Sequence, residues 1–151
     1  MKVVATLAFA AAAITLAAPA SAQFAKPEDA VKYRQSAMFI MGQHFGRIGA
    51  MVNGKAPYDA AAAAASAEVV ADMAKLPWPG FHPSTDKITQ TKAKPEIYAE
   101  PAKFKEASEK LQAEAPKLAT VAKANNLDTL KAQFGETAKA CKGCHDNYRN
   151  Q

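Results

Sequence analysis

The chain has 151 residues, 49% of them hydrophobic and 22% charged, with a formal net charge of +5. That length suits one domain around a single core. The cations are scattered, and neither a Lys/Arg block nor an aromatic-basic pattern marks a nucleic-acid surface, so the charge reads as solubility with weak steering towards an acidic partner.

The first segment in chain order does not belong to the fold. Met1-Lys2 is a short positive start, Val3 to Leu16 is apolar and alanine-rich, and Pro19 precedes Ala20-Ser21-Ala22. This is the layout of a secretory signal peptide cleaved before Gln23. A membrane anchor is the alternative, but the apolar run falls short of the roughly 20 residues a spanning helix needs. Residues 1–22 are therefore read as a leader and 23–151 as the mature domain. The expected destination is a bacterial periplasm.

Helical periodicity runs through most of the mature domain, with almost no strand signal. The first helix opens at Pro27, with Glu28 and Asp29 suited to its positive end. Val31, Met38, Phe45 and Val52 recur every seven residues, with Met41 and Ile48 between them, and Gly54 and Pro57 end the stripe. The second runs from Tyr58-Asp59, where Asp59 can cap, to about Leu76; Ala60 to Ala65 are strong helix formers, and Val69, Met73 and Leu76 are expected on its core side. Pro77 to Glu100 holds scattered prolines and polar residues and reads as a long connection.

The third helix covers about Pro101 to Asn125, with Phe104, Leu111, Leu118 and Val121 in phase. Pro116 inside it removes a backbone donor at a cost of about 3 kcal/mol, which predicts a bend or a split. The fourth begins after Asn125-Asn126 and runs to about Tyr148. Leu127, Phe134, Cys141 and Tyr148 form one row, and Leu130, Thr137 and Cys144 the next. The resulting fold class is all-α: an antiparallel up-down-up-down four-helix bundle with one long connection between helices 2 and 3.

The only two cysteines, Cys141 and Cys144, stand one turn apart on the inward face, with His145 directly after them. A dithiol oxidoreductase would place such a pair at a helix N-terminus after a strand; here it lies near a helix C-terminus. A zinc site would need further ligands, and only His44 and His82 remain as histidines, neither of them in a cluster. A disulfide between positions i and i+3 of a helix distorts it. Covalent attachment of one haem c remains, for which C-x-x-C-H is the known pattern. Thiols one turn apart reach two vinyl groups, and the next residue presents its imidazole to the iron. Any sixth ligand must come from upstream, from Met38, Met41, Met51, Met73, His44 or His82.

The stretches QFAKPEDAVKYRQSAM (23–38), APYDAA (56–61), LPW (76–78), PEIY (95–98) and CKGCHDNYR (141–149) resemble cytochrome c′, a family of class II c-type cytochromes, over nearly the whole mature chain. The resemblance implies that Cys141 and Cys144 hold the haem and that His145 is the axial iron ligand. It places Arg149 near that ligand, where the sequence alone reads as a frayed, solvated end. Arg34 interrupts an apolar stripe. Snorkelling past the core edge is one explanation; the resemblance implies instead that Arg34 and Gln35 contact the haem propionates. Thr91 lies where the family has another polar haem contact, although the usual acidic residue is missing there.

Met38 falls at the position that the resemblance places facing the distal side of the iron. Three outcomes compete for it: packing without a bond, a bond to iron as in low-spin cytochromes of the c-556 type, or orientation elsewhere. Met41 and Met73 read as core filling, and His44 and His82 as exposed.

These expectations favour a five-coordinate, high-spin haem protein binding NO or CO, transferring electrons to an unidentified partner, or both. The alternative is a low-spin, Met-ligated electron carrier. An enzyme such as a peroxidase would need a distal acid-base group that the stripe lacks. The family often forms homodimers through its first two helices, with which the alanine run is compatible.

Overall fold

The computed structural model describes residues 23–151, so the predicted leader lies outside the described residues. The helices are α1 (Pro27–Val52), α2 (Ala60–Met73), α3 (Glu96–Ala99), α4 (Pro101–Ala122) and α5 (Leu127–Tyr148). The long ones, α1, α2, α4 and α5, are the predicted four and form the bundle. Among the described residues no helix is long and apolar enough to cross a membrane.

Local chemistry sets the helix ends. Pro27 starts α1, and its last turn closes where Asn53 Nδ2 donates to Gly49 O at 2.7 Å and Gly54 takes a φ of 68°. Asp59 accepts from Ala62 N at 3.0 Å to cap α2, and Asn126 accepts from Thr129 N at 3.0 Å to cap α5. The connection of 77–95 is not featureless: Trp78–Phe81 and Pro83–Thr85 form short 3-10 turns, and α3 comes directly after it.

Chain neighbours pack as an antiparallel bundle, α1 on α2, α2 on α4 and α4 on α5. The far end closes over Ile48, Leu118 and Leu130, all fully buried. Each contributes about 1.5–3 kcal/mol by leaving water. Contact between α1 and α5 is sparse by comparison, and the bundle is open between them.

Three expectations are corrected. The core side of α2 is carried by Ala63, Ala67, Val70, Ala71 and Ala74, whereas Val69 and Met73 are half-buried and Leu76 is exposed. Small side chains let the α2 backbone approach its neighbours, so the closest face is not the one with the largest residues. Helix α4 runs unbroken through Pro116, which is exposed. The missing donor therefore falls on the solvent face, where water can satisfy the orphaned carbonyl. Leu127, placed in an inward row, is 37% exposed because it is the first residue of α5.

Candidate functional site

A cavity of about 550 Å³ lies between α1 and α5, within the size range of small-molecule and cofactor sites. The α5 wall presents Cys141, Cys144, His145, Tyr148 and Arg149; the α1 wall presents Arg34, Gln35, Met38, Met41 and Phe45. Both sets keep helical spacing, so each is one face of one helix. Thr91 and Lys92 join them from the long connection. The eight residues assigned a haem contact thus line one cavity, as does Met41, whereas Met51 and Met73 do not. His44 and His82 do not line it.

Arg34 is the most constrained of these groups. Only 2% of it is exposed. Its Nη1 donates to Gly80 O at 2.6 Å, Thr85 Oγ1 at 3.0 Å and Tyr98 OH at 3.4 Å, and its Nη2 to Thr91 Oγ1 at 3.2 Å. The guanidinium also lies 4.4 Å from the centroid of the Phe81 ring. Snorkelling is therefore not what places it: the charge is inside, held by neutral acceptors. Among the described residues it has no carboxylate partner. A buried charge needs such satisfaction, and a counter-charge stabilises it further.

Gln35 is exposed, and its Nε2 donates to Gln90 O at 3.1 Å. Thr91, expected to touch the haem, here accepts from Arg34. Met38 is half-buried on the α1 wall and packs against the core. Met41 belongs to the core as expected and also reaches the cavity, while Met73 packs against the core from outside. His82 is exposed and caps its own turn, accepting from Ser84 N at 3.2 Å. His44 departs from expectation: it is half-buried, and its buried Nδ1 has no partner among the described residues. The flank of α1 on which it lies is partly covered.

The α5 end is not frayed. Lys94 N donates to Tyr148 O at 3.0 Å and Asn150 N to Lys92 O at 2.8 Å, making an antiparallel bridge between Ala93 and Arg149. Arg149 is thereby fixed at the cavity rim with its side chain exposed.

Electrostatics separate the competing chemistries. Burial pushes the Cys141 thiol above its ordinary pKa and the Cys144 thiol up to about 11, with Cys141 adding to the latter. A redox-active dithiol has the opposite shift, since the thiolate is its nucleophile. Partial burial of the imidazole, with the Arg149 cation adding, holds His145 below the usual histidine value against the opposing pull of Asp146. The neutral imidazole, the metal-ligating form, is thereby favoured.

Sequence reasoning did not identify the aromatic lining. Phe104 stands 5.2 Å from Tyr148, 4.9 Å from Phe81 and 6.1 Å from Trp78, centroid to centroid. On the other side Phe45 stacks on Phe134 at 4.2 Å. The signal available was the WPGF tetrapeptide, which concentrates apolar rings in an otherwise polar connection.

A c-type haem is a flat apolar ring carrying two carboxylates. The cavity fits it: thiols and an imidazole on one wall, aromatic and methionine side chains around, and Arg34, Lys92 and Arg149 as its charges. Among the described residues no Asp or Glu lines it.

Comparison with known proteins agrees. The sequence profile of the family described as Cytochrome C' matches residues 29–149. A cytochrome c' of Alcaligenes xylosoxydans xylosoxydans is 48% identical over 85% of this chain and 99% of that protein. The crystal structure of cytochrome c' from Rubrivivax gelatinosus superimposes with a TM-score of 0.81 at 46% identity, over 85% of this chain and 100% of that one. A nitric oxide complex of a cytochrome c prime variant from Alcaligenes xylosoxidans gives 0.78 at 47% identity, with the same coverage.

Proposed function

The chain belongs to the cytochrome c′ family of c-type haem proteins, and from that premise we propose that it is an exported haem protein that binds a small uncharged gas, transfers electrons, or does both. The supporting observation is the cavity that gathers Cys141, Cys144 and His145 on one wall and Arg34 and Met38 among the facing residues. In this reading Cys141 and Cys144 would hold one haem and His145 would be its axial ligand. Arg34 and Gln35 would face the propionates, with Thr91 beside them. When bound, the haem supplies a redox-active iron with affinity for diatomic gases.

The protein's part is to shape access. Met38, Phe39, Met41 and Phe45 make the α1 wall apolar, and Arg34 and Gln35 are bonded to Gly80, Thr85, Tyr98, Thr91 and Gln90 through part of their donors. An apolar wall offers bound O2 no hydrogen-bond donor, which favours NO and CO, and the nitric oxide complex of the Alcaligenes xylosoxidans relative supports that choice. The signal-peptide layout of residues 1–22 in the sequence supports a periplasmic location, with cleavage before Gln23 as part of this reading. Phe39 and Ile40 on α1, 66% and 42% exposed, beside the exposed Ala61, Ala62 and Ala65 of α2, support a homodimer through these helices.

A second reading makes Met38 the sixth ligand, because it lines the same cavity as His145. Absorption spectra of the purified holoprotein, reduced with and without CO or NO, separate the two. The first reading expects a high-spin ferrous spectrum that shifts fully with gas. Sharp low-spin bands indifferent to CO would establish the second.

A further inference from the structure

Lys94 does not line the cavity, yet it closes the helix that carries His145. Its backbone N–H donates to Tyr148 O at 3.0 Å and its ammonium to Asp146 O at 3.0 Å. Both carbonyls belong to the last turn of α5, where carbonyls lack intrahelical partners. A cation placed there also meets the negative end of the helix dipole. Asn150 N returns to Lys92 O at 2.8 Å, so the chain end is paired with residues 92–94.

The other end of the same short segment is fastened to α1. Thr91 Oγ1 accepts from Arg34 Nη2 at 3.2 Å and from Ala93 N at 3.2 Å, and Gln90 O accepts from Gln35 Nε2 at 3.1 Å. Five consecutive residues therefore join the two walls of the cavity, which touch each other only sparsely elsewhere.

We infer that residues 90–94 form a strap that sets the spacing of the two walls, with Lys94 as the positioning residue that holds the last turn of α5, and His145 with it, against Arg34 and Gln35 on α1. The strap deepens the haem reading, on which only its redox readout depends. Its two fastenings differ in kind: at Lys94 the protein grips helix carbonyls, and at Thr91 it grips a buried guanidinium. Movement at one end is transmitted through backbone that the Ala93 N to Thr91 Oγ1 bond keeps short.

The test uses the holoprotein with Lys94→Met, Lys94→Arg and, as control, Lys131→Met, an exposed cation elsewhere on α5. Lys94→Met is expected to speed amide hydrogen exchange at Arg149 and Asn150 about fivefold, the scale of a lost terminal cation and its bond. It should also shift the guanidinium NMR signals of Arg34 and lower the reduction potential, since a cation near the iron ligand is gone. Lys94→Arg should restore all three, and Lys131→Met should change none. Faster exchange with unmoved Arg34 signals would make Lys94 a local cap and overturn the strap. Unchanged exchange would overturn the capping as well. Failure of the haem reading would show separately, as a wild-type protein without a haem spectrum.

Discussion

Gly80 and Arg34 are fitted to each other twice. The Gly80 carbonyl accepts from Arg34 Nη1 at 2.6 Å. A Cβ on Gly80 would stand 2.8 Å from Arg34 Cβ and 2.7 Å from Ala30 O. Neither neighbour can yield, because one is backbone and the other the root of a buried side chain. Gly80→Ala is therefore expected to destabilise the holoprotein by about 1–3 kcal/mol, the usual range for overpacking. Urea denaturation checks it, and an unchanged midpoint would mean that the 3-10 turn moves freely against α1.

Gly49 offers the contrasting case. A Cβ there would meet Phe134 Cζ at 3.0 Å, the far end of a side chain that can tilt. Replacing a helical glycine by alanine gains about 1 kcal/mol of propensity, close to what re-seating the Phe45–Phe134 stack would cost. Gly49→Ala should leave stability within about 1 kcal/mol of wild type. A loss as large as that of Gly80→Ala would show that the stack is rigid.

Glu114 ties α4 to α5: it accepts from Lys117 Nζ at 2.8 Å and from Gln133 Nε2 at 2.6 Å. Lys117 first, and Gln133 second, hold its carboxyl below the ordinary value. A depressed carboxyl contributes stability above its unfolded pKa of about 4.3 and loses it as pH falls through the folded one. Glu114→Gln should flatten the stability curve on that acid side. Midpoints at neutral and acid pH measure it; equal acid losses in mutant and wild type would refute the link.

Met38 tests how the α1 wall controls access. Met38→Leu, nearly equal in volume, should leave the spectrum of a five-coordinate protein unchanged. Met38→Ala should speed CO association by opening the wall. If Met38→Leu instead converts a low-spin spectrum to high-spin, Met38 is an iron ligand.

The bundle was legible because its long helices carry apolar residues at helical spacing, and the grouping of Cys141, Cys144 and His145 because the three are local in sequence. What was hidden is non-local. The acceptors of Arg34 lie 46 to 64 residues away, at Gly80, Thr85, Thr91 and Tyr98, so periodicity could flag the misplaced charge but not its answer. The α2 face was misjudged for a different reason. Hydrophobic size pointed to Val69, Met73 and Leu76, while closeness of approach selected alanines. The 3-10 turns left no periodic trace, being a single turn each.

Those alanines have a consequence for how this scaffold tolerates change. Ala63 and Ala67 of α2, with Ala115 and Ala122 of α4, are fully or almost fully buried, and none of them lines the cavity. They make the α2–α4 seam thin and intolerant of added volume, and the bulky rings are left to the open side. The molecule resembles a book whose spine is alanine and whose pages are aromatic. A designer seeking a larger or differently shaped macrocycle should recut the pages on α1 and α5 and leave the spine untouched.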